Sequence, residues 1–275
     1  MRISIIISTY NAEAWLEKVL WGYHQQTFKD FEVVIADDGS HTATKDLIEK
    51  MKAEVFYPIQ HIWHEDDGFQ KSKILNKAIV ACKANYILMS DGDCIPRKDF
   101  VEIHEIYKKP KHFISGGYFM LPMNISELIT KVNIEHQDCF EESWLLANGL
   151  ERSFKNNKLT SKGLKANLLN TITPTNASWN GHNSSGWKED IIAVNGFDER
   201  MQYGGQDREL GERLINYGIK PIQKRYSAIC VHLDHKRGYK TPESIAKNQA
   251  IRKNTRNNKI KFTPFGIKKE NAQSS

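Results

Sequence analysis

The chain holds 275 residues, with 39 lysines and arginines against 33 aspartates and glutamates, a formal charge of +6. Hydrophobic residues at 40% and charged residues at 26% are close to the globular average, which excludes a disordered chain, a collagen-like repeat and a low-complexity protein. This length suits one large domain or two small ones, with a core that needs neither disulfides nor metal staples.

In chain order, Ile3 to Ile7 runs into Ser8-Thr9-Tyr10-Asn11, Phe31 to Ala36 into Asp37-Asp38-Gly39-Ser40, and Tyr86 to Met89 into Ser90-Asp91-Gly92-Asp93. Short apolar runs closed by small or acidic residues predict buried parallel strands. Between them, Trp15, Leu16, Val19, Leu20 and Tyr23 follow helical spacing behind Asn11 as N-cap, and Ile74, Leu75, Ala78, Ile79 and Cys82 do so behind Ser72. Alternating strand and helix predict an α/β fold whose ligands bind beyond the carboxyl ends of the strands, where the three polar clusters fall.

Past Pro96 the spacing predicts a helix through Phe100, Ile103 and Tyr107, a strand over 113–117 and one longer helical segment over 126–146. Residues 151–170 read as a polar surface excursion. A second block contains Asn195-Gly196-Phe197-Asp198, then Gly204-Gly205-Gln206-Asp207 opening a helix with Leu210, Leu214 and Tyr217 and ending at Gly218. A strand over 228–231 delivers His232 and His235. Residues 236–275 read as a basic, aperiodic tail, dispensable for donor chemistry if cut after Gly238 and suited to an anionic membrane surface, where each basic residue is worth about 1 kcal/mol.

Cys82, Cys94, Cys139 and Cys230 include no C-x-x-C pair, so reduced thiols are expected rather than a disulfide framework or zinc ribbon. Met1 to Ser8 is too short for a signal-peptide core and no 18-residue apolar stretch exists, so a cytoplasmic protein that does not span a membrane is expected.

Asp91-Gly92-Asp93 is the strongest local signal. In an extended chain the two carboxylates share a face and can converge on a hard cation, Gly92 permitting close approach of a phosphate. A solvated Asp-Gly turn is the plain alternative. A phosphatase nucleophile strand is another, but Cys94 and Ile95 stand where that motif normally has Thr, and its usual position is near the N-terminus. Asp37 could bind a nucleobase N–H, while Ser40 more simply caps the next helix. No G-x-G-x-x-G follows the first strand, and Gly181 and Gly186 fail as a phosphate loop because Trp187 precedes Lys188 and Glu189 follows it.

Taken jointly and in this order, Asn11, Asp37-Asp38-Gly39-Ser40, Asp91-Gly92-Asp93 and Gly204-Gly205-Gln206-Asp207 resemble the family 2 glycosyltransferases of GT-A fold. The segment His64-Glu65-Asp66-Asp67-Gly68-Phe69 with Ser72, Asn76 and Ala78 is similar to bacterial chondroitin-polymerase-type enzymes. Asn195-Gly196-Phe197-Asp198-Glu199 through Asp207 is similar to the C-terminal motif of galactosyl- and N-acetylgalactosaminyltransferases. The resemblance implies a nucleotide-sugar-binding half over 1–95, a Rossmann-like unit with a mixed sheet, merged with an acceptor-binding and catalytic half over 96–235.

It further implies roles. Thr9, Tyr10 and Asn11 would cradle uridine, Asp37 would bind uracil, and Asp67, Lys73 and Asn76 would lie near ribose and diphosphate. Asp91 and chiefly Asp93, with His232 or else His235, would hold Mn²⁺ (or Mg²⁺) against the UDP-sugar. Asp207 would be the catalytic base, with Trp187, Tyr203, Gly205 and Gln206 on the acceptor side. Gln206 stands where the related motif has Glu, so one carboxylate is missing. The implied activity is an inverting transfer of a hexose or N-acetylhexosamine from a UDP-sugar to a glycan or lipid-linked glycan, in bacterial surface polysaccharide or lipopolysaccharide synthesis. A non-catalytic polyanion-binding protein is the remaining alternative; without an RNA-reading aromatic motif or a DNA-reading helix pattern, no nucleic-acid partner is expected.

Overall fold

The computed structural model describes residues 1–235 and 241–269; of the basic positions assigned to the tail, Lys236, Arg237 and Lys240 lie outside the described residues. It begins with β1 (Ile3–Thr9), α1 (Glu13–His24), β2 (Phe31–Asp37), α2 (Thr42–Glu54), β3 (Ile59–Trp63), α3 (Lys71–Ala81) and β4 (Tyr86–Asp91). The three apolar runs are the central strands, each extended by one or two polar residues at its carboxyl end. Odd and even positions both pack: Ile5, Ile7, Val33, Ile35 and Leu88 enter one core, and Ile6, Val34, Ile87 and Met89 the other. Burial on both faces is why these strands read as continuous apolar runs.

Three expected caps differ. Ala12 precedes α1, and Asn11 instead sits at φ 45°, its Oδ1 accepting from His41 N at 2.9 Å. Ser72 lies inside α3 and donates to Met201 O. His41 precedes α2, and Ser40 Oγ accepts from Asn11 N at 2.9 Å, so these polar groups bind one loop to the next rather than closing helix ends.

After β5 (Cys94–Pro96), α4 (Phe100–Tyr107) and β6 (His112–Met120), the stretch expected as one helix is three: α5 (Met123–Leu128), α6 (Lys131–His136) and α7 (Glu142–Ala147). Thr130 and Asn133 form a reciprocal capping box that starts α6, and Gln137 ends it at φ 65°. The polar excursion contains α8 (Asn157–Thr160) and α9 (Gly163–Ile172). β7 (Ser184–Trp187), α10 (Lys188–Ala193), α11 (Gln206–Tyr217), β8 (Lys220–His232) and α12 (Pro242–Asn257) complete the described elements.

Among the described residues the eight strands form one sheet in the order β3-β2-β1-β4-β7-β6-β8-β5. β1, β2, β3 and β4 are parallel, β7 is antiparallel to both β4 and β6, and β6 and β8 pair in parallel. The chain leaves β1 toward β2 and β3, then crosses back to β4. This reversal opens a crevice at the carboxyl ends of β1 and β4. The Asp91–Cys94 turn then carries the chain to β5, which pairs antiparallel with β8 so that Cys94 opposes His232. A curled sheet thus brings its far edge to the crevice.

The aperiodic-tail reading of 241–269 is replaced by a packed element. Thr241 caps α12, accepting from Ser244 N, and Pro242 stands in its first turn. Asn248 is fully buried, and its Nδ2 donates to the carbonyls of Gln202, Tyr203 and Gly204. Thr255 Oγ1 donates to Glu209, and Arg252 and Arg256 both reach Glu212. Among the described residues no helix is long and apolar enough to cross a membrane.

Candidate active site

The loop after β1 and the loop after β2 meet at one end of the crevice. Tyr10 is half exposed and donates to Asp66 Oδ2 at 2.9 Å. Asp37, expected to face a base, is spent on structure: one oxygen accepts from Ser40 N at 2.8 Å and the other meets His61 Nε2 at 2.8 Å. Burial opposes its ionisation, but these hydrogen bonds outweigh it and hold the carboxyl below its ordinary value. Asp38 is likewise paired, with His64 Nε2 at 2.8 Å and Gln70 N at 3.0 Å. A cleft of about 440 Å³ follows, walled by His64, Glu65, Asp66, Asp67, Gln70 and Lys73, so Asp67 and Lys73 do share one surface. Asn76 does not join them. It is buried, donating to Phe197 O and Glu199 and accepting from Phe197 N, and so locks the Asn195-Gly196-Phe197 turn to α3.

At the centre of the crevice Asp91 Oδ1 accepts from Ser8 Oγ at 2.6 Å and from Lys71 Nζ at 2.7 Å. Burial would raise the Asp91 carboxyl, yet the Lys71 ammonium, first among several opposing contacts, holds it far below the carboxylate range. Burial would likewise lower Lys71, but the charges of Asp91 and Asp207 raise it instead. Gly92 donates to Ser8 O, and a Cβ there would stand 3.0 Å from that oxygen, so a side chain would press on the first loop.

The two aspartates do not lie on one extended face. Gly92 and Asp93 form a turn, and Asp93 looks toward β8 instead. Its oxygens stand 3.7 Å from His232 Nε2 and 3.0 Å from His235 Nε2, and the two imidazoles stack at 5.7 Å. His232 Nδ1 lies 2.8 Å from Leu233 O, which can only accept; Nδ1 therefore carries the hydrogen, and in the neutral ring Nε2 presents its lone pair. A lone pair facing a carboxylate across 3.7 Å is the arrangement a divalent cation closes. Asp93, Cys94 and His232 place their ligand atoms within 4.8 Å of one another. Burial keeps the Cys94 thiol protonated, so oxygen and imidazole are the available donors, a set that fits Mn²⁺ or Mg²⁺ better than a thiophilic metal.

Asp207 enters from the first turn of α11. Gly205 starts this helix at φ 88°, where the left-handed backbone favours glycine. Gly181 packs so closely that a Cβ would stand 2.7 Å from Asp207 Oδ1. That oxygen is buried without a hydrogen-bond partner. Burial, with Asp91 adding to it and Lys71 opposing it, pushes the carboxyl up to about 6. Gln206 does not reach outward as expected; it is buried and its Oε1 accepts from Gly204 N at 3.0 Å, bracing the glycine turn. Tyr203 meets Phe69 edge to face at 6.0 Å. Trp187 is misplaced by the sequence reading. It pairs in register with Tyr86, at the opposite end of β4 from Asp91, and donates to Lys109 O. Five strand residues at about 3.3 Å each separate it from the crevice.

Sequence reasoning missed Lys71 and His182. His182 stands beside Tyr118 at 4.6 Å and His232 at 6.4 Å, and burial drives its pKa down to about 4, so it is neutral. The glycine before it, needed beside Asp207, was the available signal. Asn183, the next residue, donates to Gly117 O and Ala228 O, and so fixes this loop to β6 and β8.

A parallel nucleotide-type crevice, a carboxylate with two imidazoles and a buried carboxylate at a helix start sit in a mixed α/β fold of GT-A architecture. Residues 4–119 match the model of glycosyl transferase family 2. Over 236 residues the chain is 26% identical to a chondroitin synthase of Escherichia coli, covering 78% of this chain and 32% of that one. It thus spans about a third of that relative's length. In fold it is similar to a mannosyltransferase of Pyrobaculum calidifontis solved with GDP-Man and Mn²⁺ (TM-score 0.57, 18% identity, 86% of this chain and 58% of that one). It is also similar to TarS residues 1–349 of Staphylococcus aureus in complex with UDP (TM-score 0.59, 15% identity, 92% and 64%).

Proposed function

We propose that this chain transfers a hexose or N-acetylhexosamine from a UDP-sugar to a hydroxyl of a glycan or lipid-linked glycan with inversion at the anomeric carbon. The observation that carries the reading is Asp207: a buried, partnerless carboxylate oxygen whose charge couples to Lys71 and Asp91. The acceptor O–H bond breaks, its proton passes to Asp207, the new oxygen–carbon bond forms, and the bond from that carbon to the diphosphate oxygen breaks as UDP departs. Lys71 adds positive charge beside the crevice, where the departing diphosphate gathers negative charge. Asp93 and His232, with His235 adjacent, are the residues that would hold Mn²⁺ or Mg²⁺, and that cation would neutralise charge on UDP.

In this reading residues 1–95 hold the donor and 96–235 the acceptor and base. The base stacks on Tyr10, and Asp37 shapes its loop rather than touching it. Synthesis of a bacterial surface polysaccharide or lipopolysaccharide at the inner face of a membrane is the setting. The match over 4–119 includes Asp91 and leaves the phosphatase alternative without support. The test is a screen of UDP-sugars with Mn²⁺ in the presence and absence of chelator. Release of UDP from at least one donor, lost on chelation, is expected; no release and no UDP binding across the panel overturns the proposal.

A further inference from the structure

A cavity of about 650 Å³ opens against Asn180 and His182, which flank the Gly181 that packs on Asp207, and is separate from the acidic cleft at Asp67. Its size suits a sugar or a short glycan. His182 lines it and also faces His232, while Arg208 lines it and follows Asp207 in α11, so the cavity begins where the transfer would occur. It belongs on the acceptor side.

Its walls are unusual in two respects. Arg208, Arg225 and Arg252 line it against a single carboxylate, Glu212, leaving an excess of positive charge. Its lining residues also carry polar atoms that are shut off from solvent without a hydrogen-bond partner: Arg252 Nε, Glu212 Oε2, Gln223 Oε1, Trp179 Nε1 and His182 Nε2. Each such atom costs about 1 to 3 kcal/mol while it stays unsatisfied, and small side-chain turns would bring it to a bound molecule. Glu212 Oε2 and Gln223 Oε1 can only accept, as hydroxyl groups require. The arginines can only donate, as an oxyanion requires.

Arg225 reaches the cavity through an irregularity in the sheet. Gly116 pairs with Lys224 but Gly117 pairs with Ile229, so residues 225–228 leave the β6–β8 ladder. Arg97 Nη2 on Ser227 O and Asn170 on both Tyr226 N and Ser227 Oγ hold this bulge. A Cβ on Gly117 would lie 2.0 Å from Arg225 O, so the approach requires glycine. Bulges of this kind re-aim a side chain. The third arginine comes from α12, whose Arg252 Nη2 donates to Glu212 at 2.6 Å.

We infer that this cavity is an acceptor subsite for a sugar bearing an acid group, a carboxylate or a phosphate, with the arginines on the acid and Glu212 and Gln223 on ring hydroxyls. The inference rests on the transferase reading above and names the acceptor class. Two sources share this chemistry, a uronic acid and a sugar or polyol phosphate, and the test separates them. Calorimetry with UDP and Mn²⁺ already saturating compares methyl glucuronoside, glucose 6-phosphate and neutral methyl glucoside, so that the diphosphate site is filled. At least one acid is expected to bind tenfold or more tightly than the neutral sugar, and whichever does so identifies the source. Arg208→Gln with Arg225→Gln should remove that preference while UDP affinity and melting temperature stay unchanged; Arg208→Gln alone, at an exposed position, should weaken it in part. Equal binding of all three sugars, no measurable binding of either acid, or a preference that survives in the double variant overturns the inference. Failure of the unmodified protein to bind UDP with Mn²⁺ counts against the donor reading instead.

Discussion

Asp207 has two consequences of opposite sign, and they can be measured on one variant. Its carboxyl stands at about 6 against an ordinary 3.8, so the folded chain retains that proton to higher pH than the unfolded chain. The stability this adds is complete below about pH 4 and is lost as pH rises through about 6. Lys71 from α3, Asp91 from β4, the Gly181 backbone and Arg208 on its own helix are the groups that set the value. Asp207→Asn cannot ionise, so at pH 7.5 its melting temperature should rise, by about 2 to 4 °C for each kcal/mol recovered. Transfer should fall about 10² to 10⁴-fold because the proton acceptor is gone. In the unmodified enzyme kcat/KM should drop tenfold per unit below pH about 6, a limb absent from the variant. Unchanged transfer with a lowered melting temperature would make Asp207 a helix-start residue only. Glu209 and Asp198 are poor substitutes for it, since Arg213 holds the first and Arg200 and Thr263 the second. The placement of Asp207 after Gly-Gly-Gln was legible because a glycine turn opening a helix has a sequence signature. Lys71 was not, because a lysine in a first helical turn looks alike whether it faces a crevice or solvent, and for His182 the only mark was the glycine before it, Gly181.

Among the elements, α12 shows where periodicity fails. Its buried positions are Ser244, Asn248 and Thr255, all polar, and it docks through hydrogen bonds rather than an apolar stripe. A search for apolar residues at helical spacing passes over such a helix, although Thr241-Pro242 marked its start. Asn248 holds three carbonyls of the 202–204 loop, directly ahead of Gly205 and Asp207. Asn248→Ala leaves those carbonyls without their donor, and should lower stability by about 1 to 3 kcal/mol and reduce transfer more than donor binding. Ending the chain after His235 should do both more severely, which reverses the expectation that the C-terminal segment is dispensable. Thermal melts with UDP-binding curves on the two variants check this; a shortened chain with unaltered melting and transfer would restore the tail reading. The segment over 126–146 failed for a complementary reason. Its apolar content fits a helix, but the Thr130 box and the left-handed Gln137 cut it into pieces.

Over the whole molecule, the apolar strand runs, the alternation with helices and the polar clusters at strand ends were enough to locate the crevice. Closure of the site was not legible, because β5 is three residues long and its pairing with β8 joins positions 138 residues apart, Cys94 and His232. That pairing sets Asp93, just ahead of β5, against His232 at the end of β8 and His235 beyond it. A cation bound there would link distant stretches of the chain, so its effect on stability should depend on the nucleotide that shares it. Ligands at about 100 times their dissociation constant add about 2.7 kcal/mol. For a chain of this size that corresponds to roughly 5 to 10 °C in melting temperature with UDP and Mn²⁺ together. UDP alone should give only a minor part of the shift. In Asp93→Asn the Mn²⁺-dependent part should vanish, because a neutral amide is a poor ligand for a hard cation, while the ligand-free melting temperature changes little. An equal shift with UDP whether or not Mn²⁺ is added, or a full shift in the variant, would take the cation away from Asp93.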